Sequence, residues 1–388
     1  MEKRLIYEFE AFIQKKDSSI PYNTFVYGLS KLLRECSNAY IFDRLKNLKY
    51  NLESLFKINS TIYFGQNMEL KVDLESFYKD FKSFQTIIRH YLNGNIPKSF
   101  NSFIYWYNKN VILSTLKSSY NVDCMYRCRR RDENKINFDE KDMFHIPFEM
   151  RNIIGNERFS VNGLPAVYMG SSTYICWEEL DRMPLSDAHF VSVFPTYNWN
   201  LFDMRLNRSF TCKEDCINWL KRLPLIIFCS FATSSRSGFK TEYIIPQILM
   251  LALKRNKLID GVIYNSLKYD IRKLYANWEI YSGIMDNIVI PVKTSRKKGS
   301  CKKLAKLIAI GHPLSYDEMV TTIRRKEIPK SKSEKELFIE SYQDELKIQC
   351  QKAYEKTYFY EMDVILKNAY SYKTIQYING TPNKIFLL

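Results

Sequence analysis

Glycine and proline are scarce, at 12 of each in 388 residues, and histidine is scarcer still, at four. So few chain breakers exclude a collagen-like repeat or a chain built mainly of linkers. The four histidines, His90, His145, His189 and His312, stand in no recognisable triad context, which argues against Ser–His and Cys–His hydrolases. The familiar motifs are missing as well. There is no G-x-x-x-x-G-K-[ST] phosphate loop, G-x-G-x-x-G turn, H-E-x-x-H helix or G-x-S-x-G elbow. Long apolar runs are also absent: Leu223–Ala232 is broken by Pro224 and Ser230, and Tyr243–Leu253 by Pro246 and Gln247. Neither reaches the roughly 18–20 residues needed to span a bilayer. The start, Met1-Glu-Lys-Arg-Leu-Ile, leads into an amphipathic pattern and not a cleavable apolar core. A soluble, cytoplasmic chain without a membrane partner is expected.

What is present is a large apolar fraction, 46%, enough to exclude a disordered tail. At roughly 100–200 residues per domain, two or three structural units are expected. Nine cysteines, an odd number scattered between Cys36 and Cys350, suit reduced thiols better than a disulfide framework. Cys124 with Cys128, or Cys212 with Cys216, has the spacing of half a zinc site, but neither has a second Cys/His pair to complete it. No metal is expected. The formal charge of +16 attracts phosphate backbones and motivates a basic nucleic-acid-binding protein as an alternative reading. The positive charges are nevertheless dispersed, except at Arg127–Arg131 and Lys293–Lys303, and no recognition module is apparent.

Three regions follow from periodicity. Residues 1–118 read as a helical N-terminal region: Leu5, Ile6, Phe9, Phe12 and Ile13 recur at helical spacing. Leu74, Phe77, Tyr78, Phe81, Phe84, Ile87, Ile88 and Tyr91 form a clearer stripe, with Asp73 as N-cap and Asn93-Gly94 as stop. Pro97 opens the next helix. Residues 119–295 alternate helices with short β-rich runs at Ala166–Met169, His189–Phe194, Leu225–Phe228, Gly261–Tyr264 and Asn287–Ile290. Thr211–Glu214 has the capping-box pattern before a helix through Trp219 and Leu220, and a second helix is predicted from Pro246 to Lys254. This mixture predicts an α+β fold with a mixed sheet. Residues 296–388 read as a basic linker, a solvated hinge, followed by a helical C-terminal extension. Capping boxes stand at Ser315–Glu318 and Ser333–Glu336, the latter opening a stripe through Phe338, Tyr342, Leu346, Cys350 and Ala353.

Separated polar residues beside the predicted strands carry the functional signal. In order they are Tyr126-Arg127, Arg158–Gly163 followed by Leu164–Tyr168, Ser171–Glu179, Phe239–Gln247 and Gly261–Ser266. Each block is weak alone, but five in register resemble the RES domain, named for its Arg, Glu and Ser residues, over about 119–292. The resemblance implies an ADP-ribosyltransferase-like catalytic domain with a mixed or split β-sheet, flanked by mostly helical extensions. It also implies NAD⁺ as substrate, and a toxin held by an Xre-like antitoxin or another inhibitory protein. Compact members of that family lack such extensions, which leaves room for an interaction platform, a built-in regulator or a homo-oligomer here.

The resemblance assigns roles residue by residue. Breaking the nicotinamide–ribose bond develops an oxocarbenium-like centre, which a carboxylate stabilises as in glycoside cleavage. Glu179, eleven positions after Tyr168, is the expected carboxylate, with Glu178 as its rival. Arg127 and Arg158 occupy the family's arginine positions and suit a pyrophosphate, since guanidinium binds phosphate oxygens bidentately. Tyr168 stands where the family places an aromatic beside the nicotinamide ribose. Ser266 is expected to bond ligand or to hold the catalytic loop; Tyr126 and Gln247 are weaker binding candidates. Water, inorganic phosphate and a protein side chain remain open as acceptors. A catalytically inactive RES scaffold is the third reading.

Overall fold

The computed structural model of the chain describes residues 20–34, 39–58, 60–64, 68–110, 122–131, 138–233, 238–268, 284–326, 354, 357–368, 376–378 and 381–383. The predicted N-terminal stripe Leu5–Ile13 and the segment Ser333–Ala353 lie outside the described residues. In chain order the first elements are β1 (Ile20–Pro21), α1 (Tyr22–Arg34), α2 (Ile41–Ile58), β2 (Thr61–Tyr63), β3 (Glu69–Lys71), α3 (Leu74–Leu92) and α4 (Ile96–Asn110). There follow β4 (Met125–Arg130), β5 (Ala166–Gly170), α5 (Thr173–Glu179), β6 (Ala188–Pro195), β7 (Leu201–Asp203), α6 (Lys213–Cys229) and α7 (Ile244–Arg255). The last are β8 (Gly261–Asn265), β9 (Asp286–Pro291), α8 (Lys302–Ala305), β10 (Ile308–Ile310), β11 (Leu314–Ser315), α9 (Tyr316–Lys326), α10 (Tyr358–Asn368), β12 (Gln376–Ile378) and β13 (Thr381–Asn383).

Two compact units result. The first joins 1–118 with 155–161 and 204–255; the second joins 119–154, 162–203 and 256–388. Segments 155–161 and 204–255, which lie inside the span 119–295 read as one domain from sequence, therefore group with the N-terminal helices.

In the first unit α3 and α4 form much as their sequence dictates. Asp73 accepts a hydrogen bond from Ser76 N at 3.1 Å, and Gly94 takes φ of 78° just past the C-cap Asn93. Phe77, Phe81, Phe84, Ile87 and Ile88 are the buried stripe of α3. Phe81 meets Phe228 of α6 edge-on, with centroids 4.9 Å apart, so α6 continues the same core. Two expectations fail here. Leu225–Phe228 is not a strand but lies in the last turn of α6, with all four residues buried, so no apolar–polar period is visible in its sequence. The capping box at Thr211 does not form either: Cys212 is the N-cap without a side-chain bond, and Asp215 Oδ2 accepts from Thr211 N at 3.4 Å. Helix α7 extends two residues before Pro246 and one beyond Lys254.

The second unit is built on a mixed sheet ordered β10-β6-β4-β5-β9-β8-β7, with β11 also on β6. β7 and β8 are parallel and the remaining neighbours antiparallel. The architecture is thus α+β with a mixed sheet, as expected. Strands β10 and β11 come from beyond residue 295 and cover the outer edge of β6, whose eight residues offer backbone groups that must be paired.

The basic run before them is no free hinge. Arg151 Nη2 donates to Ser295 Oγ at 2.7 Å, Gly299 N to Glu149 Oε2 at 2.7 Å, and Cys301 N to His145 Nε2 at 2.7 Å. Arg296, Lys297 and Lys298 are exposed, Lys293 is part-buried with Nζ donating to the Asn256 carbonyl at 2.6 Å, and the backbone of the run is tied to the segment 145–151. The box at Ser315 does form: Ser315 Oγ accepts from Glu318 N at 3.3 Å, and Glu318 Oε2 from Ser315 N at 2.7 Å.

Candidate functional site

The sheet of the second unit opens between β4 and β5. β4 pairs with β6 along its whole length, Met125–Arg130 against Val193–Ala188, and β5 pairs with β9 from Ala166 to Gly170. Between β4 and β5 only Tyr126 and Gly170 are in register. Arg127 fills the opening, with Nη1 donating to the Tyr168 carbonyl at 2.8 Å. Burial, with Arg129 nearby, lowers the Arg127 pKa to about 10, so it stays cationic at neutral pH. Its Nε is buried and finds no partner among the described residues.

Beyond Gly170 the chain turns straight into α5. A side chain at position 170 would put a Cβ 2.5 Å from Ile175 Cγ2 and 2.8 Å from Cys176 Sγ, so only glycine permits this approach. Ser172 caps the helix, accepting from Ile175 N at 3.1 Å, while Tyr174, Ile175, Cys176 and Trp177 pack inward. The helix ends in two successive left-handed residues, Asp181 (φ 56°) and Arg182 (φ 54°), a conformation that costs an L-residue roughly 1–2 kcal/mol. The reversal brings Arg182 back on Glu178: Nε donates to Oε2 at 2.9 Å and Nη2 to Oε1 at 2.7 Å. Tyr174 OH also donates to Oε1. Glu178 is a buried, saturated structural carboxylate.

Glu179 turns the other way. Its Oε1 accepts from Ser266 Oγ at 2.6 Å and from Asn287 Nδ2 at 2.6 Å. Ser266 follows β8 and also accepts from Lys268 N at 3.2 Å, while Lys268 Nζ pairs with Asp181. The loop after β8 is therefore fastened to both sides of the α5 terminus. Asn287 on β9 stands opposite Gly170 on β5. It was not identified from sequence, because an amide inside an apolar strand reads as packing.

The remaining predicted residues are distributed as follows. Tyr168 is half-buried on β5, opposite Val289. Tyr126 belongs to the buried cluster under α5 and α10, and its hydroxyl donates to the Asp363 carbonyl at 3.1 Å. Strand alternation sends it to the other face of β4 from Arg127. Arg158 and Gln247 fall in the first unit. There Arg158 Nη1 donates to the Cys229 carbonyl at 3.0 Å, with its guanidinium 5.0 Å from the Tyr243 ring centroid. Gln247 Nε2 donates to the Glu157 carbonyl at 3.2 Å and to Asn156 Oδ1.

Nearby groups are poorly suited to proton transfer. The buried His145, with Arg127 adding to the effect, has its pKa pushed down to about 4, and its Nε2 is occupied as an acceptor from Cys301 N. Burial raises the Cys176 thiol, which also lies within electrostatic reach of both Arg127 and Glu179. What the second unit presents is a fixed carboxylate with a hydroxyl and an amide on one oxygen, and a cation in the split of the sheet.

Fold and site thus define an α+β protein with a positioned carboxylate at the end of a short helix. Comparison with curated proteins finds 30% identity over 292 residues with a Bacillus subtilis (strain 168) protein named "Putative toxin YopC". The matched stretch takes in 69% of this chain and 63% of that protein, so the chain spans less than two thirds of its relative's length. No family model matches the sequence. No solved structure matches it.

Proposed function

We propose that the chain cleaves the nicotinamide–ribose bond of NAD⁺ and passes ADP-ribose to water, phosphate or a protein side chain, acting as a toxin or defence effector. The observation that carries this reading is the fixing of Glu179 Oε1 by Ser266 and Asn287, at 2.6 Å each. A carboxylate held in this way is oriented before substrate arrives, which is what stabilisation of a developing positive charge requires.

The reaction balances without a metal or a redox partner. The C1′–N bond breaks, its electron pair goes to the nicotinamide ring nitrogen, and neutral nicotinamide departs. The oxocarbenium-like ribose left behind faces Glu179 until an acceptor oxygen or nitrogen attacks C1′ and loses its proton to solvent. Arg127, cationic and with its Nε unsatisfied by the described residues, suits a phosphate oxygen. The roles of Arg158, Tyr168, Tyr126 and Gln247 in binding rest on the resemblance to RES domains. The toxin role draws on the name of the Bacillus subtilis relative, and a toxin of this kind requires an inhibitory partner such as an Xre-like antitoxin.

The test is a time course of NAD⁺ with the purified chain, with and without phosphate, and Glu179→Gln in parallel. Release of nicotinamide by the wild type and not by the variant is expected, and the ribosyl product identifies the acceptor. No NAD⁺ loss under either condition overturns the reading.

A further inference from the structure

The C-terminal helix α10 lies outside the blocks that resemble the RES domain, yet it supplies the anchor of the helix that carries Glu179. Its Asp363 is buried, and Oδ1 accepts from Thr173 N, the first N–H of α5, at 2.8 Å. Its Oδ2 accepts from Tyr354 OH at 2.6 Å, and its main-chain carbonyl accepts from Tyr126 OH on β4. Thr173 Oγ1 donates to the Phe359 carbonyl at 3.1 Å, and the Phe359 ring lies against Tyr174 and Trp177, with centroids 5.2 and 5.5 Å away. At the other end of α10, the Leu366 carbonyl accepts from Ser192 Oγ on β6 at 2.9 Å.

A seven-residue helix is too short to hold its own position, because one turn's nucleation is unfavourable and few bonds repay it. Its first N–H groups have no partner within the helix and must be satisfied from outside. Ser172 supplies one acceptor from the helix's own chain; Asp363 supplies the other from 190 residues away. The second ties the backbone of α5 to another element through its first residue, beside the Thr173 Oγ1 bond to the Phe359 carbonyl. Glu179 lies six residues on, about 9 Å along the axis at 1.5 Å per residue. A slip at Thr173 therefore displaces the carboxylate by the same amount.

We infer that Asp363 is a positioning residue for Glu179: by accepting from Thr173 N it fixes α5 and sets where the carboxylate meets Ser266 and Asn287. The consequence is that the C-terminal extension completes the site. This inference rests on the NAD⁺-cleaving reading for its catalytic meaning, but the anchor itself is a statement about α5.

The test uses the full chain with Asp363→Ala and Asp363→Asn. Steady-state NAD⁺ turnover is measured per folded protein, alongside amide hydrogen exchange of the peptide covering 171–180. In Asp363→Ala, exchange of α5 rises and kcat falls by about 10²-fold, the order expected for a misplacement near 1 Å. KM stays within about twofold, since the bond does not contact substrate. Asp363→Asn keeps an oxygen for Thr173 N and restores most of kcat. Thr173→Val, which removes the hydroxyl that bonds the Phe359 carbonyl and also reaches Asp363 but keeps the backbone N–H, serves if Asp363→Ala does not fold; a smaller fall in kcat with raised α5 exchange is expected. Wild-type kcat in Asp363→Ala, or equal losses in the Ala and Asn variants, overturns the inference and leaves the proposed function standing. No turnover by the wild type overturns the proposed function; exchange then decides the anchor alone, and unchanged exchange in Asp363→Ala overturns it.

Discussion

Ser266 Oγ donates to Glu179 Oε1 at 2.6 Å, joining the loop after β8 to the last residue of α5 across 87 positions of sequence. The same hydroxyl accepts from Lys268 N, so it orients the carboxylate and shapes its loop together. Asn287 holds the same oxygen from β9.

Removing either donor loosens the carboxylate, which the other then holds alone on that oxygen. Ser266→Ala and Asn287→Ala are each expected to lower kcat for NAD⁺ cleavage by about 10–10²-fold, the range for losing one orienting hydrogen bond to a charged group. The double variant is expected to lose less than the product of the two, because both bonds act on one oxygen. Steady-state rates of the four proteins check this, and strictly multiplicative losses would show that the two act separately.

The resemblance named Glu179 and Ser266 as separate site residues, but the bond between them was not legible, because it depends on where the loop after β8 meets the end of α5. Strands at 166–170, 188–195, 261–265 and 286–291 were legible from β-branched runs, and α3 from its stripe and caps. Strand β4 was not: Met-Tyr-Arg-Cys-Arg-Arg carries three arginines that hide its alternation, and it is a strand because β6 pairs with all of it. Helix α6 was half legible, because its buried end lacks a polar face. Asp363 gave no signal at all, since one carboxylate in an amphipathic helix looks solvated until its partners are placed.

Glu178 and Glu179 offer a sharp separation of stability from chemistry. Glu178→Gln weakens the bonds from the half-exposed Arg182 and from Tyr174 to a buried carboxyl, so it is expected to lower unfolding free energy by about 1–3 kcal/mol. Turnover per folded molecule should remain. Glu179→Gln should do the reverse, abolishing turnover with little change in denaturant midpoint. Loss of activity in both, with unchanged midpoints, would contradict the structural role of Glu178.

Gly170→Ala tests the close approach of β5 and α5. The added methyl would lie 2.5 and 2.8 Å from Ile175 Cγ2 and Cys176 Sγ, so those buried side chains must shift, with the Cys176 backbone N at 3.3 Å close behind. Overpacking of this kind costs about 1–3 kcal/mol. Because α5 also carries Glu179, kcat should fall more than stability alone accounts for. Thermal unfolding and turnover of the same preparation check both parts.

Asp363 and His145 pull the pH dependence of stability in opposite directions. Burial raises the Asp363 pKa to about 7 from its usual 3.8, so its contribution is fully present below 3.8 and is lost as pH rises through 7. Tyr354, Tyr126, Cys124 and Cys176 also face it, but burial raises each of them, so they stay neutral over this range. Burial lowers the His145 pKa to about 4 from 6.5, with a further push from Arg127. Its contribution is present above 6.5 and is lost as pH falls through 4. Between about pH 4 and 6.5 the folded chain holds one extra proton on Asp363 and lacks one on His145, so the two slopes, each about 1.4 kcal/mol per pH unit, cancel. Asp363→Asn is therefore expected to make stability rise with pH across that window relative to wild type, and His145→Gln to make it fall. Denaturant unfolding of the three proteins at pH 4.5, 5.5 and 6.5 checks this; parallel profiles would mean that neither group is displaced from its ordinary pKa.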